Sequence, residues 1–224
     1  MGGTPVRILL ARHGETVFNV EGRWQGQSDS PLTERGKAQA RELARALSDE
    51  PIVAVYSSDL GRAADTAAEV AHVHSLPVIA DVRVREIDVG KWTGLGRPEI
   101  AAQWPDGLAA WASTPSRYRM PGGEDLAEAQ ARALAFFAER MPDHLGQTVV
   151  LITHGAIGQA ILVEAMGLTV EHLWLKQRMD NTQISRLEWS TERGLELIEL
   201  SDVRHLEEVG SLRGWRTTDR EQRA

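Results

Sequence analysis

Cysteine is absent from all 224 residues of the sequence. Its absence excludes disulfide bonds, thiolate metal sites and catalysis by a thiol. A chain without cysteine suits a reducing compartment, and we expect a cytoplasmic protein. No run approaches the ~18 consecutive apolar residues of a membrane span. The N-terminal stretch is also too short and too weakly charged for a secretory signal, so we expect no membrane partner.

Positive charge is in deficit, because 25 Lys and Arg residues face 32 Asp and Glu residues, for a net charge of −7. A general nucleic-acid binder is usually basic, so we expect no nucleic-acid partner. Apolar residues make up 42% of the chain, which is typical of a globular protein. We find no internal repeat and interpret residues 1–224 as a single domain.

Short apolar runs alternate with amphipathic stretches along the chain. The runs predict buried strands at 6–11, 52–58, 77–80 and 148–153. The stretches predict helices that begin near Thr33, after Leu60, at about 124 and at about 155. Residues 182–189 and 195–200 predict a terminal hairpin or two neighbouring strands. This alternation favours a three-layer α/β/α sandwich with a mostly parallel central sheet.

Residues 91–123 break the alternation, since they are rich in proline and glycine and contain Trp92, Trp104 and Trp111. We interpret them as a small irregular insertion with one short helix, placed like a lid. The tryptophans either pack the insertion or form the wall of a substrate cleft. The polar residues 210–224 predict a frayed tail.

Polar signals follow three of the predicted strands: Arg12-His13, then Ser57-Ser58-Asp59 with Arg62 one turn later, then Thr153-His154-Gly155. Ligands of parallel sheets bind beyond the carboxyl ends of the strands, so these groups are predicted to converge. Two histidines, two arginines and the start of two helices suit a tetrahedral anion such as phosphate.

His13 is the candidate nucleophile. The end of a strand fixes its position, and Gly14 allows a ligand or a neighbouring backbone to come close. Neighbouring arginine charge is expected to lower the pKa of the imidazole and keep it neutral near pH 7. A neutral imidazole nitrogen can attack phosphorus.

The segment "LLARHGETVFN" resembles the signature of the histidine phosphatase superfamily, the phosphoglycerate mutase-like branch 1 group. Six further blocks resemble those of the family in the same order, over roughly residues 6–190. They read "GRWQGQSDSPLTERGKAQA", "YSSDLGRAADTA", "REIDVGKWTG", "PGGED", "ITHG" and "NTQISRLEW". A lone "RHG" would be a weak signal, whereas seven ordered blocks are a specific one.

The resemblance implies a metal-independent reaction without a cofactor on a small phosphomonoester. By this resemblance, His13 is the residue that becomes phosphorylated, and Glu86 is the proton donor and later the base that activates water. The remaining implied contacts are to phosphate or the leaving group: Arg12, Arg62 and His154 in the pocket, Asn19 and Gln25 beside it, and the backbone N–H of Gly155.

The residues alone leave alternatives open. Asp88 competes with Glu86 for the role of the acid. Arg62 could instead pair with Asp59 or Asp65 on the helix surface. His154 could be a structural cap at a turn between a strand and a helix.

Three functions remain at this stage: a phosphomonoesterase, a cofactor-dependent phosphoglycerate mutase and a non-catalytic phospholigand-binding module. Family mutases carry a longer, more basic insertion, whereas only four Lys or Arg residues separate Glu86 from Pro121 here. Every catalytic position is filled, which argues against a binding module. A phosphatase is therefore the favoured interpretation. For the oligomeric state, a monomer and a homodimer that pairs near 182–200 both stay open.

Overall fold

The computed structural model describes residues 4–172 and 179–209. Its centre is a six-stranded sheet in the order β3-β2-β4-β1-β5-β6. The strands are β1 (Val6–Arg12), β2 (Ile52–Ser57), β3 (Val78–Ala80), β4 (Thr148–Thr153), β5 (Ile184–Ser190) and β6 (Gly194–Asp202). The first four run parallel to one another, and β5 pairs antiparallel with both β1 and β6. The sheet is therefore mostly parallel, and residues 184–202 form the hairpin.

Seven α-helices lie within the described residues. They are α1 (Val17–Glu21), α2 (Glu34–Ala46), α3 (Gly61–His74), α4 (Arg97–Gln103), α5 (Gly107–Ser113), α6 (Leu126–Arg140) and α7 (Gly155–Ala165). None of the helices in this part of the chain is long and apolar enough to cross a membrane.

Alternate side chains of β1 point to opposite faces of the sheet, as the period of a strand requires. Ile8 and Leu10 pack in one core with apolar residues of α6 and α7, whereas Leu9 and Ala11 pack in a second core with residues of α2 and α3. Both faces are covered by helices. The predicted α/β sandwich is confirmed, and the continuous apolar run of β1 reflects burial on both sides.

The insertion contains two short helices, α4 and α5, where the sequence predicted one. Trp92 and Trp111 are buried in the first core, and both pack edge to face against Trp24. These two tryptophans therefore pack the insertion onto the domain. The role of residues 91–123 as a lid stays a prediction, and the predicted tail at 210–224 lies outside the described residues.

Two short elements that the sequence did not predict carry or precede predicted site residues. Helix α1 has only five residues, too few for a periodic pattern, and is defined by its ends: Thr16 forms a capping box with Asn19, and Gly22 ends the helix with φ of 67°. A 3-10 turn at Val82–Val84 leads into the segment that carries Glu86.

Candidate active site

His13 and His154 follow the ends of two neighbouring strands. Arg12 of β1 lies opposite Thr153 of β4, and the His13 N–H donates to the Thr153 carbonyl at 2.9 Å. This parallel register places the two imidazole rings 5.2 Å apart, measured between centroids. The predicted convergence of the strand ends is what the structure shows.

A backbone bond fixes the orientation of the His13 ring. Nδ1 lies 2.7 Å from the carbonyl oxygen of Gly14. A carbonyl can only accept, so Nδ1 carries the hydrogen and Nε2 keeps its lone pair. Nε2 is therefore the ring nitrogen whose lone pair is available to act as a nucleophile.

Both rings are held in the neutral form. Burial, followed by the charges of Arg62 and Arg12, lowers the pKa of His13 well below its usual value of 6.5, against a smaller opposing effect of the bond to Gly14. Burial also lowers the pKa of His154, followed by the charges of Arg62, His13, Arg12 and Arg132. Both rings are therefore neutral at physiological pH, and each keeps one nitrogen lone pair. The lone pair of His13 is available for chemistry, and that of His154 for hydrogen bonding.

His154 lies at the N-cap position of α7, but its side chain makes no capping bond. Neither ring nitrogen has a hydrogen-bond partner among residues 4–172 and 179–209, although the ring is fully buried. Buried polar atoms without a partner are costly, so this ring is suited to a ligand rather than to a structural cap.

Arg62 occupies the first turn of α3 and is 1% exposed. Its guanidinium donates to the carbonyls of Gly26 at 2.8 Å and Ser28 at 2.7 Å. Asp59 pairs with Arg85 at 2.7 Å instead, so the alternative of a pair between Asp59 and Arg62 is wrong. Arg62 is buried beneath the loop that carries Gln25, where Nη1 also lies 3.5 Å from Oδ1 of Asp29, and its charge lowers the pKa of both histidines.

Glu86 touches the start of α7. Its Oε1 accepts from the N–H groups of Ile87 at 3.1 Å and Ile157 at 3.0 Å, and its Oε2 accepts from Ala156 at 3.1 Å. Oε1 uses both of its lone-pair directions, whereas Oε2 uses one. Oε2 is therefore the oxygen that can hold a transferable proton.

Asp88, the alternative candidate for the acid, stabilises the turn in which it lies. Its Oδ1 accepts from the N–H of Gly90 at 2.9 Å, which holds the turn that leads into the insertion. This bond gives the Asp88 carboxylate a local structural partner, whereas the carboxylate of Glu86 faces the helix start that borders the histidines.

A gap between Arg12 and Glu86 is bordered by Gly155. A Cβ placed on Gly155 would lie 3.6 Å from Cζ of Arg12 and 3.7 Å from Oε2 of Glu86. Arg12 is held by its Nη1, which donates to the carbonyl of Met179 at 2.8 Å. Arg12, Glu86 and Gly155 are all half-buried, so they form the mouth of the site above His13, His154 and Arg62.

Asn19 of α1 and Gln25 of the loop that follows this helix are the two remaining predicted contacts. Oδ1 of Asn19 accepts from the N–H of Thr16 at 3.2 Å, which leaves the amide NH2 for a ligand. Gln25 precedes Gly26, whose carbonyl Arg62 binds. The Oε1 atom of Gln25 is buried and has no partner within the described part of the chain.

Gly14 packs closely against the backbone of another segment of the chain. A Cβ on Gly14 would lie 2.4 Å from the carbonyl oxygen of Gly36, and a Cβ on Gly36 would lie 2.0 Å from that of Glu15. Of the two reasons offered for a glycine at position 14, the close approach of a neighbouring backbone is the one that the structure supports.

Two residues at the site were missed from the sequence, Asn181 and Arg132. Asn181 donates from Nδ2 to the His13 carbonyl at 2.8 Å and to Oδ1 of Asn19 at 3.4 Å. Its position was readable, because the residues before an antiparallel strand lie beside the end of β1. Arg132 binds backbone carbonyls next to Glu86, and no sequence pattern marks such contacts.

The arrangement combines a neutral nucleophilic ring, a second ring with two nitrogens available, two guanidinium groups and a carboxylate that faces them. These groups can bind a phosphoryl group, accept it on Nε2 of His13 and exchange a proton with the leaving oxygen. No group of three or more His, Asp or Glu side chains in the described ranges could hold a metal ion.

Comparisons with known proteins identify relatives of this chain. The model of the histidine phosphatase superfamily (branch 1) matches residues 8–202. Phosphoserine phosphatase 1 of Hydrogenobacter thermophilus is 35% identical over 203 residues, which cover 91% of this chain and 95% of that protein. A 2,3-bisphosphoglycerate-dependent phosphoglycerate mutase of Gloeobacter violaceus is 33% identical over 171 residues, which cover 74% of this chain and 78% of the mutase. Among solved structures, Bacillus stearothermophilus YhfR superposes with a TM-score of 0.86 at 34% identity, over 90% of this chain and all of that one.

Proposed function

Because the chain belongs to the histidine phosphatase superfamily, branch 1, we propose that it is a phosphomonoesterase that works through a phosphohistidine at position 13. One observation carries the proposal: the bond from Nδ1 of His13 to the Gly14 carbonyl leaves the lone pair of Nε2 free, in a ring that burial keeps neutral.

In the first step, Nε2 of His13 forms a bond to phosphorus while the bond from phosphorus to the ester oxygen breaks. Oε2 of Glu86 gives its proton to the departing oxygen, so the alcohol leaves uncharged. Arg12, Arg62, His154 and the amide of Asn19 bind the phosphoryl oxygens, together with the backbone N–H of Gly155. Their charges and donors stabilise the phosphoryl group during transfer.

In the second step, the Glu86 carboxylate takes a proton from water, and the water oxygen attacks phosphorus. The bond between nitrogen and phosphorus breaks, inorganic phosphate leaves, and Glu86 is again protonated for the next cycle. We assign Gln25 a contact with the leaving group or with the phosphate.

The substrate class that fits is a small phosphorylated metabolite. His13, His154 and Arg62 are each at most 2% exposed, so we expect only the phosphoryl group to contact them while the rest of the substrate stays at the mouth. Similarity to a phosphoserine phosphatase supports the same class. The net charge of −7 and the absence of cysteine support a cytoplasmic enzyme that does not bind nucleic acid.

The test is a phosphate-release screen with phosphoserine, 3-phosphoglycerate, sugar phosphates and p-nitrophenyl phosphate, followed by trapping of the intermediate. A ³²P-labelled substrate should leave an acid-labile, base-stable label on the enzyme, and His13→Ala should abolish both label and turnover. His72→Ala, which changes an exposed histidine of α3, is the matched control and should keep both. Turnover by His13→Ala would overturn the mechanism. Interconversion of phosphoglycerates that depends on 2,3-bisphosphoglycerate and exceeds phosphate release would favour the mutase.

A further inference from the structure

Arg132 of α6 makes five hydrogen bonds, and each of them involves the backbone around Glu86 or the side chain of Glu124. Nη1 donates to the carbonyls of Arg83 and Arg85, both at 2.7 Å, and Nη2 donates to the carbonyl of Glu86 at 2.8 Å. Nε and Nη2 also bind the two carboxylate oxygens of Glu124, at 2.9 and 3.0 Å.

The segment that Arg132 holds has no sheet to support it. Residues 82–84 form a single 3-10 turn, and the chain then continues through Glu86 as a loop. Its carbonyls need donors from elsewhere, because unpaired backbone groups in a packed environment are costly. Arg132 supplies donors to three of them, from a helix that is anchored in the core.

Glu124 extends the same support to the other side of Glu86. Its Oε2 accepts from the N–H of Asp88 at 2.9 Å, and its own N–H donates to the Asp88 carbonyl at 2.9 Å. The ion pair of Arg132 and Glu124 therefore fixes the backbone on both sides of position 86. A planar guanidinium can reach five acceptors at once, whereas a lysine has three donors on a single nitrogen.

We propose that Arg132 is a positioning residue that holds the Glu86 carboxylate at the distance from which Oε2 can protonate the leaving group. The proposal rests on the proposed phosphatase function and adds to it a residue outside the anion pocket. Loss of the arginine should let the segment shift while the pocket of His13, His154 and Arg62 stays intact.

The measurement is kcat/KM, which reports formation of phosphohistidine, for Arg132→Gln with two substrates. Glycerol phosphate has a leaving group that needs a proton, whereas p-nitrophenyl phosphate has one that scarcely does. We expect a loss of about 10- to 100-fold with glycerol phosphate and less than about 3-fold with p-nitrophenyl phosphate. Arg132→Lys should not restore the rate with glycerol phosphate.

Arg83→Gln is the matched control. The side chain of Arg83 also joins the 3-10 turn to α6, through Asp81, Glu139 and the Ala135 carbonyl, and its exposure of 22% is close to the 20% of Arg132. We expect Arg83→Gln to lower the melting temperature by about as much as Arg132→Gln. Its loss of kcat/KM, if any, should be the same with glycerol phosphate and with p-nitrophenyl phosphate.

Equal losses of kcat/KM with both substrates in Arg132→Gln, or the same separation in Arg83→Gln, would overturn the proposal while leaving the phosphohistidine mechanism intact. If wild-type enzyme acquired no acid-labile ³²P label, the proposed function itself would be overturned. If Arg132→Gln does not fold, Glu124→Gln weakens the same support and should separate the substrates in the same direction. Equal losses of kcat/KM with both substrates in Glu124→Gln would refute the role of Arg132.

Discussion

Asn19 and Asn181, the only two asparagines of the sequence, lie side by side, with Nδ2 of Asn181 3.4 Å from Oδ1 of Asn19. Nδ2 of Asn181 also lies 2.8 Å from the carbonyl of His13. Because both partners can only accept, the Asn181 amide has one orientation. Its bond to Oδ1, together with that from the N–H of Thr16, also fixes the orientation of the Asn19 amide. A side chain from a distant part of the chain thus fixes both the amide of Asn19, the proposed phosphate donor, and the backbone of His13, the proposed nucleophile.

Asn181→Asp should lower kcat/KM by about 10-fold or more, since a carboxylate would place an oxygen against two acceptors. Asn181→Ala should be less harmful, because it removes the donor without adding repulsion. In a double-mutant cycle, Asn19→Ala should cost less activity when position 181 is already alanine. Full activity of Asn181→Asp would show that this pair does not orient the site.

The stability of the free enzyme should fall as the pH drops below about 6.5. The pKa values of His13 and His154 are lowered in the folded state, so between those values and 6.5 the unfolded chain binds more protons. The free energy of unfolding should lose up to about 1.4 kcal/mol per pH unit for each histidine. Denaturant titrations between pH 7 and 5, in buffer without phosphate, measure this slope.

His154→Gln should reduce that slope, because one of the two strongly affected groups is removed. Burial also lowers the pKa of His205, and this contribution stays in both proteins. A wild-type free energy of unfolding that does not change from pH 7 to 5 would contradict neutral buried rings.

Glu86→Gln should slow the enzyme according to its leaving group. The substitution keeps the size of the side chain but removes the transferable proton. We expect a loss of kcat/KM of about 100-fold or more for alkyl phosphates and a much smaller loss for p-nitrophenyl phosphate. Since one N–H of α7 would lose its acceptor, stability should fall by about 1 kcal/mol. Equal losses for alkyl and aryl esters would remove Glu86 from the role of proton donor.

Gly155→Ala should fold normally and still lose activity. The nearest contacts of the added Cβ, at 3.6 and 3.7 Å, are ordinary, but the methyl group would occupy the gap between Arg12 and Glu86. We expect kcat/KM to fall by about 10-fold or more, with an unchanged melting temperature. Gly96→Ala, before α4, also meets no atom closer than 3.5 Å and should leave kcat/KM unchanged. Wild-type rates in Gly155→Ala would show that substrate does not use the gap.

The sequence predicts most of the sheet and the meeting of His13 with His154, because buried parallel strands are apolar throughout and their ends share one edge. The contacts that hold the loops were not predictable in the same way. Arg132 binds carbonyls 46 to 49 positions away in the chain, and every residue type carries a carbonyl. Asp29 likewise caps α3 from a loop, with its Oδ2 accepting the N–H of Gly61 at 2.7 Å. Such bonds depend on the tertiary fold and leave no periodic trace in the sequence.

The close backbone contact between Gly14 and Gly36 has a consequence for engineering the enzyme. The chain that follows the nucleophile rests on main-chain atoms of α2, and neither position has room for any side chain. Randomised libraries should therefore leave these two codons fixed and vary exposed positions elsewhere in the chain. Every variant would then keep the Gly14 carbonyl in place, and with it the orientation of the His13 ring.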